Sequence, residues 1–240
     1  MRRDLSTHNH YAAEGAGTRT LELLQVARAY NRWIFDRLRP GIGRRVLEVG
    51  CGKGAITAFL EDRDLLVGVD VVPDFVAELN ARYHARPGIR FEVLDVTHGP
   101  GRLAEERFDS AVSVNVFEHI EDDLAAMRGV FDALQPQGTF ALLVPAHPIL
   151  MGACDVAVGH WRRYTKAGLR NKLAAAGFEV LKLRYSNPIG ALGWLVNCRL
   201  LRRQELGAVA LFDRLVPMLK IVDRLPWPFG LQLIAISRKP

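Results

Sequence analysis

A short apolar run that leads into alternating glycines constrains the fold of this chain more than any other feature. The run Val46–Val49 is followed at once by three of them: Gly50, Gly52 and Gly54. Glycine has no Cβ, so it permits a sharp turn and the close approach of a ligand to the main chain. A helical pattern starts at Ala55, and a helix beginning there would direct its N–H groups toward an anion. The stretch predicts a strand, loop and helix that bind a nucleotide-type cofactor.

Short apolar runs then alternate with longer amphipathic runs. The predicted strands are Arg45–Val49, Leu65–Asp70, Ile89–Leu94, Phe108–Val114, Gly138–Val144, Glu179–Arg184 and Leu231–Ser237. The predicted helices are Thr20–Leu38, Ala55–Asp62, Pro73–Tyr83, Asp122–Leu134 and Lys166–Ala176, with a weak turn near Gly101–Glu105. This alternation is typical of βαβ units. It predicts an α/β fold with a Rossmann-like, seven-stranded, mostly parallel sheet and helices on both faces.

The 240 residues suit one large domain. We expect an N-terminal arm and helix at 1–40, a cofactor-binding half at 41–145 and a substrate-side half at 146–240. A helical insertion is predicted at 187–228, between the last two strands.

Composition narrows the classes of protein. No apolar run approaches the roughly 20 residues that span a bilayer, and the N-terminus lacks a signal-peptide core, so we expect a cytoplasmic protein. The three cysteines (Cys51, Cys154 and Cys198) are far apart and lack CxxC spacing, which predicts neither a disulfide nor a zinc site. The net charge of +6 is scattered rather than clustered, which argues against a nucleic-acid partner.

The glycine loop alone leaves the cofactor open. Gly50-x-Gly52-x-x-Ala55 also satisfies the dinucleotide fingerprint, and Asp70 can bind ribose hydroxyls in either scheme. A tight turn without a ligand is the third alternative. Two later segments distinguish between these cofactors. Asp95 ends the third strand, where an adenine amino group needs an acceptor. Asn115 begins the segment Asn-Val-Phe-Glu-His-Ile after the fourth strand. A nicotinamide-dependent oxidoreductase would need the same loop but does not explain these residues.

The motifs Glu-x-Gly-x-Gly-x-Gly (48–54) and Asn-x-x-Glu-His-Ile (115–120) resemble those of class I S-adenosylmethionine-dependent methyltransferases that act on small molecules. The resemblance implies S-adenosyl-L-methionine as cofactor and no metal. Glu48 would organise the loop, Asp70 bind the ribose and Asp95 with the Val96 backbone read the adenine. The implied cofactor-binding residues are Glu48, Gly50, Cys51, Gly52, Gly54, Asp70, Val71, Asp95, Val96 and Asn115. Lys53 departs from the pattern, because that position usually holds a small or neutral residue.

The segment Gly159-His-Trp-Arg-Arg-Tyr-Thr165 is similar to a bacterial subgroup with a Gly-His-x-Arg-Arg-Tyr signature, whose members often occur beside glycosyltransferases. The similarity implies a saccharide-linked or lipid-linked acceptor by analogy alone. The predicted function is methyl transfer to such a metabolite or to another small molecule, with oxygen as the preferred methylated atom. Methylation at carbon or nitrogen of a secondary metabolite, and a cofactor-binding scaffold without activity, are the alternatives.

Methyl transfer mainly requires positioning, and a hydroxyl nucleophile also needs a base. His147 is the first candidate for the base, His160 the second and His119 the third; positioning without a base is the alternative. On the substrate side, Arg162 and Arg163 suit a phosphate or carboxylate. The alternative is that one of them pairs with Asp155 or Glu118. The candidate substrate residues are Tyr11, Asp155, Trp161, Arg162, Arg163 and Tyr164, with Tyr11 in an N-terminal lid or an unordered arm.

The insertion has two interpretations. Apolar runs flanked by arginines predict a lid over a greasy acceptor or a surface that rests on anionic lipid. Packing on the sheet or on a second subunit is the alternative. The expected partners are therefore the acceptor, with peripheral membrane contact and a homodimer as candidates and no nucleic acid.

Overall fold

The computed structural model describes residues 27–203 and 209–240, and of residues 209–212 it describes the backbone only. Tyr11 lies outside the described residues, as does the first part of the predicted helix Thr20–Leu38.

Seven strands form one sheet in the order β3-β2-β1-β4-β5-β7-β6, which confirms the predicted fold class. Their bounds are β1 Arg45–Val49, β2 Leu65–Asp70, β3 Ile89–Val93, β4 Phe108–Val114, β5 Leu134–Pro145, β6 Glu179–Ser186 and β7 Gln232–Arg238. β7 pairs antiparallel with β5 and β6, and the pairs formed by β1 to β5 are parallel. The strand order reverses at β1, which lies between β2 and β4. In open α/β sheets, ligands bind at the carboxyl ends of the strands at this switch point.

The helices are α1 Arg28–Leu38, α2 Pro73–Tyr83, α3 Asp123–Ala133, α4 Ala153–Ala157, α5 Lys166–Ala175, α6 Pro188–Trp194 and α7 Val209–Val222. A π-helical segment, Leu195–Leu200, continues α6, and the weak turn is a 3₁₀ helix, Gly101–Glu106. Sequence signals set several starts. Pro73 opens α2, the Asp122 side chain accepts from Ala125 N at 2.9 Å, and Thr165 Oγ1 accepts from Gly168 N at 2.9 Å.

Buried side chains form a separate cluster on each face of the sheet. Alternate residues of β1 point to opposite faces, so Leu47 packs with α3 and α5 in one cluster while Val46 packs with α1 and α7 in the other. Val216 and Leu219 of α7 belong to the second cluster. The core thus fixes the carboxyl edge of the sheet from both sides.

The predicted helix Ala55–Asp62 is wrong. This segment forms turns and one 3₁₀ helix, Thr57–Phe59. The hydroxyl of Thr57 donates to buried Glu48 at 2.6 Å, which holds the chain close to β1. The glycine loop therefore has no helix N-terminus behind it to direct toward a ligand.

The expectation of no disulfide is also wrong, because Cys154 and Cys198 are bonded, with their Cα atoms 5.3 Å apart. The two cysteines are 44 residues apart in sequence, and the fold brings α4 beside the π-helical segment. Cys51 is free and buried. Spacing along the chain carried no information about this contact.

The helical insertion between β6 and β7 is confirmed. One face of α7 packs on α1, so packing accounts for that part of the insertion. Asp213 accepts from Tyr30 N at 2.8 Å at the start of α1. Asp223, which follows α7, lies 3.0 Å from Arg37 NH2 and accepts from Ser186 Oγ at 2.9 Å. Among the described residues, no helix is long and apolar enough to cross a membrane.

Candidate active site

The glycine loop turns back over β2 and touches the segment that follows β4. The N–H groups of Gly50 and Cys51 donate to Val69 O at 2.8 and 3.1 Å. Gly50 has φ +73°, and a Cβ there would lie 2.2 Å from Cγ2 of Val116. Both the left-handed backbone and this contact require glycine. The loop and Asn115, which precedes Val116, therefore lie at one edge of the sheet.

Asp70 ties the loop to the end of β2. Its Oδ2 accepts from Gly52 N at 2.8 Å and its Oδ1 from Val72 N at 3.0 Å. A Cβ on Gly52 would meet no atom within 4 Å, so space is open beside the loop. Each carboxylate oxygen keeps a further lone pair, so Asp70 can accept from ribose hydroxyls as well. The open space and the acceptor fit the nucleoside that the motif implies. Val71, next in the chain, is half exposed.

Glu48 is buried and organises the loop through Thr57, a residue that sequence reasoning did not single out. Thr57 Oγ1 donates to Glu48 Oε2 at 2.6 Å. Burial raises the pKa of Glu48 to about 8, although the bonds from Thr57 oppose the shift. Glu48 therefore holds the loop mainly as a neutral acid at pH 7. Burial also raises the pKa of the Cys51 thiol, which leaves this sulfur protonated.

Asp95 follows β3 and begins a short 3₁₀ turn, Val96–His98. Its Oδ1 accepts from Thr97 N at 2.9 Å and from Thr97 Oγ1 at 2.7 Å, and its Oδ2 lies 3.3 Å from His98 Nδ1. The Val96 side chain is buried, so this residue offers a ligand its backbone alone. The carboxylate at this edge matches the predicted adenine acceptor.

The segment after β4, which contacts the glycine loop through Val116, contains a polar side chain and two ionisable ones. Asn115 has φ +54°, and its N–H donates to Leu143 O at 3.0 Å. A 3₁₀ turn, Phe117–His119, follows. Glu118 is fully buried, and burial raises its pKa to about 7. His119 is neutral because burial lowers its pKa to about 3.

A segment we call the strap, residues 155–165, docks on residues 117–123. Trp161 N donates to Glu118 O at 2.8 Å, although the Trp161 side chain is half exposed. His160 Nδ1 lies 2.7 Å from Asp155 Oδ1, and the His119 and His160 rings meet edge to face at 4.7 Å. The strap thus brings two of the three candidate histidines together with Glu118.

Two of the predicted substrate residues form a buried pair. Arg163 Nε donates to Asp155 Oδ1 at 2.8 Å, and its guanidinium lies 4.6 Å from the Trp194 ring centroid. Trp194 Nε1 donates to Asp155 Oδ2 at 3.2 Å. Burial raises the pKa of Asp155, but the bond from His160 and the charge of Arg163 bring it below its ordinary value. Asp155 therefore holds the strap as an anion, and the pairing alternative for Arg163 is confirmed.

Asp123 binds two further residues of the strap and one residue of α5, and the sequence did not single it out. The Tyr164 hydroxyl lies 2.7 Å from Asp123 Oδ2, Arg162 NH1 2.9 Å from Asp123 Oδ1, and Lys172 Nζ 2.6 Å from the same oxygen. Tyr164 is buried, so it packs rather than walls an open pocket. The acidic first turn of α3 was the one signal, and it also fits an ordinary helix start.

His147 follows β5 and is not part of the histidine pair. It has φ +59°, and its ring stacks on Tyr185 with centroids 4.6 Å apart. Its Nε2 is buried, and no hydrogen-bond partner for it occurs in residues 27–203 and 209–240. Burial and then the charge of Arg163 lower the pKa of His147, so the ring is neutral at pH 7. Tyr185 is another residue that the sequence did not single out.

Comparison with known proteins agrees with this arrangement. A family model described as "Methyltransferase domain" matches residues 47–142. A ubiquinone biosynthesis O-methyltransferase of Ruegeria pomeroyi is 35% identical over 190 residues, which cover 72% of this chain and 71% of the relative. One of Azorhizobium caulinodans, with the same description, is 29% identical over 161 residues, which cover 61% of this chain and 63% of the relative.

A solved structure from Thermotoga maritima shares the fold. It is described as an S-adenosylmethionine-dependent methyltransferase, possible histamine N-methyltransferase, and superposes with a TM-score of 0.66 at 14% identity. The superposition covers 93% of this chain and 96% of that one. At this identity the likeness shows the fold alone. The domain match and the Ruegeria relative show the family: the chain belongs to the class I S-adenosylmethionine-dependent methyltransferases, which are enzymes.

Proposed function

We propose that this protein transfers the methyl group of S-adenosylmethionine to a hydroxyl of a small, lipid-linked acceptor. The buried Nε2 of His147, which lacks a partner within the described residues, carries the proposal for a hydroxyl. The Ruegeria and Azorhizobium relatives are O-methyltransferases by description, which supports oxygen as the methylated atom.

The glycine loop, Asp70 and Asp95 would hold the cofactor, which supplies an electrophilic methyl group when it is bound. Asp70 and the open side of Gly52 suit the ribose, and Asp95 suits the adenine amino group. Asn115 lies at the edge where the methionine end would be placed. The task of the chain is then to hold an acceptor oxygen at near-attack distance.

His147 would accept the proton of the acceptor hydroxyl as its oxygen is methylated. A buried nitrogen without a partner costs about 1–3 kcal/mol, and a bound hydroxyl would restore the missing hydrogen bond. The stack with Tyr185 fixes the ring, and its lowered pKa keeps it neutral. A general base of this kind contributes about 10²–10⁴-fold to a rate.

The exposed face of the insertion supports a lipid-linked acceptor. Large apolar side chains are exposed along it, among them Leu192, Val196, Leu200, Met218, Ile221 and Leu225. Basic residues are interleaved with them: Arg199, Arg202, Arg203, Lys220 and Arg224. An apolar face rimmed by cations matches the boundary of an anionic lipid surface. We propose that this face rests on membrane that carries the acceptor.

The reaction is tested with the full chain in two steps. Isothermal titration with S-adenosylhomocysteine measures cofactor binding, where Asp70→Asn should weaken affinity at least tenfold. Transfer of a labelled methyl group is then followed to two acceptors with the same isoprenoid tail, one with a phenolic head group and one with a saccharide. The acceptor with a saccharide head group is included because residues 159–165 are similar to the Gly-His-x-Arg-Arg-Tyr subgroup. Label on neither acceptor, in the presence of cofactor binding, would refute the acceptor class.

His147→Asn tests the base separately. We expect kcat to fall about 100-fold while the affinity for S-adenosylhomocysteine stays within twofold, because the ring stacks on Tyr185 and is not among the groups proposed to hold the cofactor. His84→Asn, at the exposed position that follows α2, is the control and should retain full activity. An unchanged kcat in His147→Asn would leave positioning as the mechanism.

The membrane face is tested by sedimentation with vesicles. Binding to vesicles with a third of anionic lipid, and weak binding to neutral ones, is expected for the wild type. The double variant Met218→Glu and Ile221→Glu should lose this binding, whereas Leu181→Glu, at an exposed apolar position on β6, should keep it. A dimer by analytical ultracentrifugation that the double variant disrupts, without vesicle binding by the wild type, would assign the face to a second copy instead.

A further inference from the structure

The group formed by Glu118, His119 and His160 has the composition of a metal site. Each residue offers one ligand atom, and these atoms lie within 4.8 Å of one another. Two imidazoles and one carboxylate suit zinc and its borderline neighbours rather than magnesium or calcium. We propose that Glu118, His119 and His160 bind one divalent transition-metal ion and leave a coordination position for water or an acceptor oxygen.

The geometry is close to that of a coordinated ion. Ligand atoms that each lie about 2.1 Å from a shared zinc ion are about 3.4 Å apart in a tetrahedral site. His160 Nε2 lies 3.8 Å from Glu118 Oε1, and the two imidazole rings meet edge to face at 4.7 Å. Since the three ligand atoms lie within 4.8 Å of one another, side-chain movements that close at most about 1.4 Å between a pair of them would complete the site.

The carboxylate supplies an independent observation. Glu118 is fully buried, and neither of its oxygens has a hydrogen-bond partner in the part of the chain that the structure describes. A buried carboxylate without partners is costly, and a bound cation removes that cost. The nearby Arg163 is not a hydrogen-bond partner of Glu118. Its Nε donates to Asp155 and its Nη1 donates to Ala146 O.

The hydrogen bonds of the imidazoles set the tautomers that a metal requires. His119 Nδ1 lies 3.3 Å from Gly159 O, and a carbonyl only accepts, so the proton is on Nδ1. His160 Nδ1 lies 2.7 Å from Asp155 Oδ1, which favours the same tautomer. The lone pair of each neutral ring is then on Nε2. Metal-binding histidines typically donate their other N–H to a carboxylate or a carbonyl in this way.

A protonated His160 is the competing explanation for the arrangement of the three side chains. His160 in its charged form could bridge Asp155 and Glu118 Oε1. That arrangement leaves Glu118 Oε2 without a partner in the described residues, whereas a metal ion can take either oxygen or both. The metal explains more of the cluster.

Metal binding goes beyond the proposed function and does not depend on it. Only the use of the remaining coordination position by an acceptor oxygen rests on the methyl-transfer proposal. The strap supplies His160 and the segment after β4 supplies the other two ligands, so a bound ion would also fasten the strap beside the glycine loop.

The test uses the untagged full chain, stripped with a chelator and titrated with Zn²⁺ in equilibrium dialysis with elemental analysis. We expect one equivalent to bind. Glu118→Gln and His160→Gln should each weaken binding at least tenfold, whereas Glu121→Gln and His84→Gln, at exposed positions, should leave it unchanged. Circular dichroism and S-adenosylhomocysteine binding establish that each variant is folded.

X-ray absorption on the zinc-loaded wild type provides a measurement that needs no variant. Two imidazole nitrogens and one carboxylate in the coordination shell would support the site. Absence of stoichiometric binding, or equal affinity in wild type and Glu118→Gln, would overturn it. Because binding is measured without methyl transfer, either result is independent of the acceptor assignment.

Discussion

The two sides of the site are built in different ways. On the donor edge, defined as the glycine loop with Glu48, Asp70 and Asp95, each carboxyl bonds a residue within 18 positions in sequence: Asp70 to Gly52, Glu48 to Thr57 and Asp95 to Thr97. On the acceptor edge, defined as residues 117–123 with the strap, Asp155 bonds His160 and Arg163 nearby, but the carboxylates also bind partners far along the chain. Tyr164 is 41 residues from Asp123, and Trp194 is 39 from Asp155.

The difference also appears in electrostatics. The Glu48 carboxyl is buried with a hydroxyl as its partner, and burial raises its pKa to about 8. Asp155 is equally buried, but His160 and Arg163 keep it ionised. A local turn can hold a neutral acid, whereas closing a long strap requires buried ion pairs, which are sensitive to the loss of one partner.

The largest effect expected is the pH dependence that Glu48 gives the donor edge. Its folded pKa of about 8 exceeds the ordinary value of 4.5, so its contribution to stability is complete below pH 4.5 and is lost as pH rises through 8. Between pH 5 and 9 the unfolding free energy should fall by about 4 kcal/mol more in the wild type than in Glu48→Gln. Urea unfolding at several pH values measures this.

Glu121→Gln is the control for that experiment, because Glu121 is exposed. It should reproduce the wild-type slope. Parallel pH curves for the wild type and Glu48→Gln would mean that Glu48 is ionised in the folded protein, and the contrast between the two edges would fail on the donor side.

Asp123→Ala breaks the acceptor edge. It removes the partner of the buried Tyr164 hydroxyl and of two cations, so the unfolding free energy should fall by about 3 kcal/mol. If the edges are separate, affinity for S-adenosylhomocysteine should change less than twofold. Asp122→Ala removes the neighbouring helix cap and should cost about 1 kcal/mol. Equal losses in the two variants would show that the buried network adds nothing beyond a cap.

The sequence predicted the donor edge better than the acceptor edge. The strand ends that carry Asp70, Asp95 and Asn115 were predictable, because apolar runs locate strands and parallel strands bring their carboxyl ends to one edge. The predicted helix after Gly54 failed for a local reason, since one hydroxyl bond from Thr57 to Glu48 outweighs weak helical periodicity.

The acceptor edge could not be predicted in the same way. The pairing of Arg163 with Asp155 was one expected alternative, but nothing in the spacing of Asp123 indicates which of the many arginines and lysines it binds. The Cys154–Cys198 bond has the same origin, because it joins positions 44 residues apart that only the complete fold brings together. The sequence did indicate His119, His147 and His160 as candidate bases, but not that two of them meet beside Glu118.

The smallest effect expected concerns the join between the two edges, where Gly50 meets Val116. In Gly50→Ala the new Cβ would lie 2.2 Å from Cγ2 of Val116, in a left-handed backbone, so the free energy of unfolding should fall by about 2 kcal/mol. Gly52→Ala is the matched control, since its φ is +50° but its Cβ meets open space. It should lose about 1 kcal/mol. Adding Val116→Ala to Gly50→Ala should recover the difference between the two glycine variants, because it removes the clash and leaves the backbone strain. Denaturant unfolding of the wild type, the double variant and the single variants Gly50→Ala, Gly52→Ala and Val116→Ala measures this coupling, and strict additivity would place the loop and the segment after β4 out of contact.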